Sequence, residues 1–160
     1  MSKRKKILVT IPKGIDHGQS IRYTGQGEAG DVGAPKGNLF VEILIRPSKI
    51  YTRRGTNLYM QKEISFAQAA LGAEISIPTP YGEEAYSLSP GTQPESIVTL
   101  RSKGVTVLQS ERIGDLVVTL KVAVPRSLTD TQKELLRQFA EEEGDAVENG
   151  KKGFFDRFKK

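Results

Sequence analysis

Residues 11–27, IPKGIDHGQSIRYTGQG, and residues 88–104, LSPGTQPESIVTLRSKG, share few letters but one layout. Each reads as a strand end, a turn, a strand and a glycine loop. Sliding the chain by 77 positions lays Gly14 on Gly91, Ile21 on Val98, Tyr23 on Leu100 and Gly27 on Gly104. Without a gap, the same offset lays Gly37 on Gly114, Leu39 on Leu116, Val41 on Val118, Ile43 on Leu120 and Ile45 on Val122. Glycines alone would carry little weight. Joined to an apolar period of two, they indicate a β unit written twice.

Each copy then reads physically. ILVTIP (7–12) and AYSLSP (85–90) alternate apolar and polar residues, as a strand with one buried face does. Pro-Lys-Gly and Ser-Pro-Gly end them, since Pro withdraws a donor and Gly permits positive φ. SIRYTG (20–25) and SIVTLRS (96–102) are return strands, and NLFVEILIRP (38–47) and DLVVTLKVAVP (115–125) are long closing strands. Only the second copy is preceded by the segment 51–83, with strand NLYMQKEI, a helical turn FAQAALG and a hairpin AEISIPTPYGEEAYSLS. Shifted back by 77, that segment would precede residue 1, so the first unit reads as truncated. The expectation is a mainly β protein: two tandem homologous β-sandwich-like units, the first truncated, plus a C-terminal helix. The boundaries are 1–46 for the partial unit, 47–126 for the complete one and 127–160 for a helix and tail.

The appendage opens with SLTDTQKELLRQFAEEEG (127–144). Thr129 as N-cap with Gln132 three later makes a capping box, and Gly144 can close the helix in left-handed geometry. Leu135, Leu136, Phe139 and Ala140 share one face. Glu141–Glu143 oppose the helix dipole, so the last turn should fray. Phe154, Phe155 and Phe158 follow among lysines, either disordered, docked on their own domain, or joining the helix against a second subunit. A short helix is marginal alone, which favours the subunit interface and a homodimer.

Composition excludes much. With no cysteine and a single histidine, His17, in the 160 residues, disulfides, thiolate or His-based metal sites and a triad are not expected. His17 sits in DHGQ, a polar turn, and reads as a solvated turn residue. The net charge of +5 collects at SKRKK and KKGFFDRFKK, which admits nucleic acid as an alternative partner, although solvated termini are the simpler reading. No apolar run is long enough to span a membrane and no signal peptide follows the basic start, so a soluble cytoplasmic protein is expected. GQGEAG opens no helix and lacks a βαβ context, and Glu83 with Glu84 falls in an exposed turn. No Walker A, HExxH or GxSxG occurs, and no enzyme is expected.

Binding fits better. A sheet edge can take an extended peptide whose alternate side chains fill pockets. The strand KILVTIP would present Ile7, Val9 and Ile11 on one face and Leu8 on the other, as a client groove or as ordinary core. Tyr51, between the units, could line that groove or pack into the second unit.

These residues resemble the C-terminal substrate-binding region of the DnaJ family of J-domain co-chaperones. IPKGIDHGQSIRYTGQGEAG is similar to the strand–glycine segment of the family's first β domain. GAPKGNLFV, RRGTNLY and ALGAEISIPT, in this order, are similar to its linker and second domain. The helix followed by GFFDRFK is similar to its dimerisation segment. The resemblance implies unfolded or partly folded polypeptides as clients, homodimerisation, and a DnaK-type chaperone as partner of the full-length protein. It also places a zinc-binding insertion upstream, so no cofactor is expected in this chain. The family usually has Asp at Asn38 and Asn57, and Gly-Lys-Gly-Val-Pro at 102–106, where this chain reads Ser-Lys-Gly-Val-Thr. The His-Pro-Asp loop that stimulates the partner's ATPase is absent, because His17 precedes Gly18.

Overall fold

The computed structural model describes residues 4–148. The chain divides into two compact units, one ending at Ala123 and one beginning at Val124. In the first, β1 (Ser20–Tyr23) pairs antiparallel with β2 (Leu39–Glu42). Next come β3 (Thr52–Arg54), β4 (Asn57–Ser65), the short helix α1 (Phe66–Leu71) and the hairpin β5 (Ala73–Thr79) with β6 (Gly82–Leu88). Finally β7 (Ile97–Leu100) and β8 (Leu116–Ala123) complete a four-stranded sheet in the order β3-β4-β8-β7, in which β4 and β8 run parallel.

The duplication holds to individual bonds. The β1–β2 register Ile21↔Val41 and Tyr23↔Leu39 becomes, 77 residues on, Val98↔Val118 and Leu100↔Leu116. Gly27 N–H donates to Gly37 O at 2.8 Å, and Gly104 N–H to Gly114 O at 2.8 Å. Gly18 N–H donates to Ile43 O at 2.8 Å, as Glu95 N–H does to Leu120 O at 2.9 Å. The left-handed positions repeat even where glycine does not: Gly18 and Gly25 have φ of 81° and 71°, and Glu95 and Ser102 have 64° and 60°. Asn38, the departure noted above, still accepts Gly25 N–H at 3.4 Å. Its counterpart Asp115 accepts Ser102 N–H at 3.1 Å, the shorter bond going to the charged acceptor.

One core serves the second repeat. Alternate residues of β4 (Leu58, Met60, Ile64) and β8 (Leu116, Val118, Leu120) face Ile75, Ile77 and Leu88 of the hairpin, so sheet and hairpin form the two layers. α1 enters by a Ser65–Gln68 capping box and buries Ala69 against this core.

Two expected strands differ. Residues 7–12 belong to no ladder among the described residues, so ILVTIP is an extended segment rather than a paired strand. Period-2 alternation marks a face, but a strand also requires a neighbour for its backbone groups. The closing strand expected over 38–47 shortens to Leu39–Glu42, while its counterpart β8 runs eight residues beside β4.

In the second unit, α2 spans Asp130–Glu143 with the Thr129–Gln132 capping box in place and Gly144 left-handed at φ 78°. Ala140 is buried, whereas Leu135, Leu136 and Phe139 remain 59%, 43% and 45% exposed. Phe154, Phe155 and Phe158 lie outside the described residues.

Candidate polypeptide-binding surface

Ile7 and Val9 are half-buried, while Leu8 is 91% and Ile11 60% exposed. Ile11 therefore does not share the shelter of Ile7 and Val9. The expected three-residue face is a two-residue face, because the chain turns at Lys13–Gly14 directly after it. Lys5 Nζ donates to Gln26 Oε1 at 2.7 Å on one side of this segment, and Ile15 is buried on the other.

Between the repeats lies a mainly apolar cleft of about 540 Å³, with His17, Ile45, Pro47, Tyr51 and Leu58 among its walls. Ile7, Val9 and Ile11 do not line it, so Tyr51 is not part of one groove with them. Tyr51 packs against the second repeat's core, and its hydroxyl donates to Pro78 O at 2.6 Å. Burial first, and the charge of Glu83 second, raise its pKa above the ordinary phenol value.

Arg53, which sequence reasoning passed over, holds this junction together. Arg53 donates from Nη1 to Ile15 O, from Nη2 to Gly14 O and from Nε to Gly55 O, each at 2.8 Å, and stands 3.7 Å from Asp16 Oδ1. Its planar fork ties the first repeat's turn to the second repeat's first strand. His17 is exposed in a turn, as expected, but its Nδ1 also accepts Ile45 N–H at 2.9 Å, tying that turn to the residues that follow β2. Apart from Gly55, the hydrogen-bond partners of both lie 28 to 39 residues away, so no local motif announces them.

Among the described residues, no group of His, Asp and Glu side chains is placed to hold a metal ion. No helix there is long and apolar enough to cross a membrane.

The model of the "DnaJ C terminal domain" matches residues 1–125, and that of the "Chaperone protein DnaJ C-terminal region" matches residues 131–160. Proteins named "Chaperone protein DnaJ" are similar along nearly the whole chain. That of Lactobacillus delbrueckii subsp. bulgaricus is 42% identical over 99% of this chain and 42% of its own length. That of Lactobacillus acidophilus is 43% identical over 99% of this chain and 41% of its own length. That of Acetivibrio thermocellus is 45% identical over 98% of this chain and 41% of its own length. The chain thus spans about two-fifths of the length of these relatives. With the repeat matched bond by bond and the similarity running from end to end, this chain belongs to the DnaJ family, of which it forms a C-terminal region.

Proposed function

We propose that this chain binds unfolded or partly folded polypeptide and pairs with a second copy, as the client-holding and dimerising part of a DnaJ-type chaperone. The observation that carries this reading is the apolar segment 7–11. It pairs with no strand among the described residues, and it presents Leu8 and Ile11 to solvent beside half-buried Ile7 and Val9. Such a segment offers an extended client both backbone partners and apolar contact. Binding rather than chemistry is the role, without metal or cofactor in this chain, in the cytoplasm. A DnaK-type chaperone is engaged through the rest of the protein. Tyr51 serves from the inter-repeat cleft rather than from the same surface.

Titration of the full chain with a fluorescent, permanently unfolded apolar peptide tests this. Ile7→Asp should weaken binding by about 1–3 kcal/mol, because a carboxylate would be desolvated without a partner. Binding by the wild type should persist from low to moderate salt, since apolar burial is not screened. An affinity that collapses with salt would point to phosphate-type binding by the basic ends and overturn the reading. Unchanged affinity in Ile7→Asp would move the site to the Tyr51 cleft.

A further inference from the structure

The face of the four-stranded sheet turned away from the core carries a polar cleft. Thr52↔Tyr59 and Gln61↔Thr119 are register partners, and directly opposed residues share a face. Arg54, two residues after Thr52, stands on that face too. Leu58, Met60, Val118 and Leu120 alternate with these residues and fill the core, so this set faces outward. With Lys49, from the link that enters β3, they wall a cleft of about 540 Å³. Every wall belongs to the second repeat or to that link.

Its charge is one-sided. No Asp or Glu lies among the walls. Arg53, Lys103, Lys121 and Arg137 each pair with a carboxylate, but among the described residues Lys49 and Arg54 pair with none. Arg54 stands instead over the Tyr59 ring, its guanidinium carbon 5.2 Å from the centroid. That contact steadies the cation without neutralising it. Two cations without an anion favour an anionic guest. The main chain narrows the guest to a polypeptide. β3 pairs with β4 only as far as Thr52↔Tyr59. Leu58 N–H donates to Asp115 O on the β8 side, and alternate residues address opposite edges. Gln61 therefore turns its N–H and C=O to the side where β3 has ended, and among the described residues no backbone group meets them there. An extended peptide supplies both a donor and an acceptor at that point, whereas a phosphate backbone supplies acceptors only. Nor is a ring face left for a base, since Arg54 covers that of Tyr59.

We infer that this cleft binds an extended acidic segment of a partner polypeptide, its carboxylates on Arg54 and Lys49 and its backbone on Gln61. The site is separate from the segment 7–11, and it selects by charge where that surface selects by apolarity. One acid bounds it. Glu63 follows Gln61 by two residues on the same face, opposite Lys121, which is already paired with Glu95. A second run of carboxylates on the partner would meet Glu63 and be repelled.

The probe is a capped synthetic peptide of alternating threonine and glutamate, added at low salt to the isotopically labelled full chain. Saturable shifts are expected at the Gln61 amide and the Arg54 Nε–H, and they should fade as salt rises. The same peptide with glutamine for glutamate should not bind. One methylated at every backbone nitrogen should bind at least about tenfold more weakly. Lys49→Glu combined with Arg54→Glu should weaken the acidic peptide at least about tenfold. Both side chains are exposed, so the thermal midpoint and the binding of the unfolded apolar peptide above should stay in place. Glu63→Gln should tighten the acidic peptide roughly twofold. If the double variant unfolds, Arg54→Gln, read by the same shifts, gives the answer. Equal binding of the glutamine peptide, an unmoved affinity in the cleft variants, or a thymidine oligonucleotide that shifts the same signals more strongly would overturn the inference. So would a double variant that lowers the molar mass of the free protein, because a second copy then fills the cleft. Failure here leaves the reading of segment 7–11 standing, since the apolar peptide alone reports on it.

Discussion

The hydroxyl of Tyr51 is held by one backbone carbonyl, that of Pro78, at 2.6 Å, in a site where burial and Glu83 both disfavour the phenolate. A pKa raised in the folded state means that the stabilisation is full below the unfolded value of about 10 and is lost as pH rises through the folded one. Unfolding followed against pH should therefore show stability falling above about pH 10, and Tyr51→Phe should flatten that fall. In the ultraviolet, one of the five tyrosines should ionise late, and the variant should lack it. Arg53 poses a different case. Truncation to Ala leaves the carbonyls of Gly14 and Ile15 without the donor they have now. A loss of about 1–3 kcal/mol is expected, appearing as faster amide exchange around residues 12–18. Arg53→Lys should recover only part of it, because a single ammonium cannot reproduce the fork.

Between elements, β2 and β8 are one design in two environments. β8 has neighbours on both edges and the hairpin across its face, so Leu120 is 1% exposed. Among the described residues β2 has a neighbour on one edge only, and Ile43 is half-buried. Leu120→Ala should cost about 2–5 kcal/mol in urea unfolding. Ile43→Ala, at the equivalent position, should cost no more than about 2 kcal/mol. Equal losses would mean that the first repeat packs as tightly as the second, against its observed exposure.

For the whole molecule the open issue is assembly. α2 is capped at both ends, yet three of its large apolar residues stay substantially exposed. Burying each would contribute roughly 1.5–3 kcal/mol, enough for three to offset much of the entropy of association. A twofold pairing is the default form of such a self-contact. Leu136→Glu combined with Phe139→Glu should give a monomer by light scattering with the β signal intact. A wild type that is already monomeric removes the dimer, and a double variant that unfolds the sheets shows that the helix covers its own chain.

What could be read from the letters alone was whatever is bonded within a few residues or repeated at a constant offset. Both the Thr129–Gln132 box and the Gly144 cap close within one helical turn, and the hairpin 73–88 turns on its own Pro-Tyr-Gly. The duplicated register followed from glycine and apolar spacing, although Glu95 and Ser102 repeat the backbone of Gly18 and Gly25 under different letters. The tertiary structure alone decided that residues 7–12 alternate without pairing, that β4 joins β8 in parallel, that Arg53 binds across the repeats, and that His17 reaches Ile45 within the first. It also decided that Tyr51 belongs to the cleft and core rather than to the 7–11 surface. The physical reason is range. A cap or turn is satisfied by its sequence neighbours, so residue types near it encode it, whereas a strand edge or a guanidinium is satisfied by whichever distant backbone packing brings beside it.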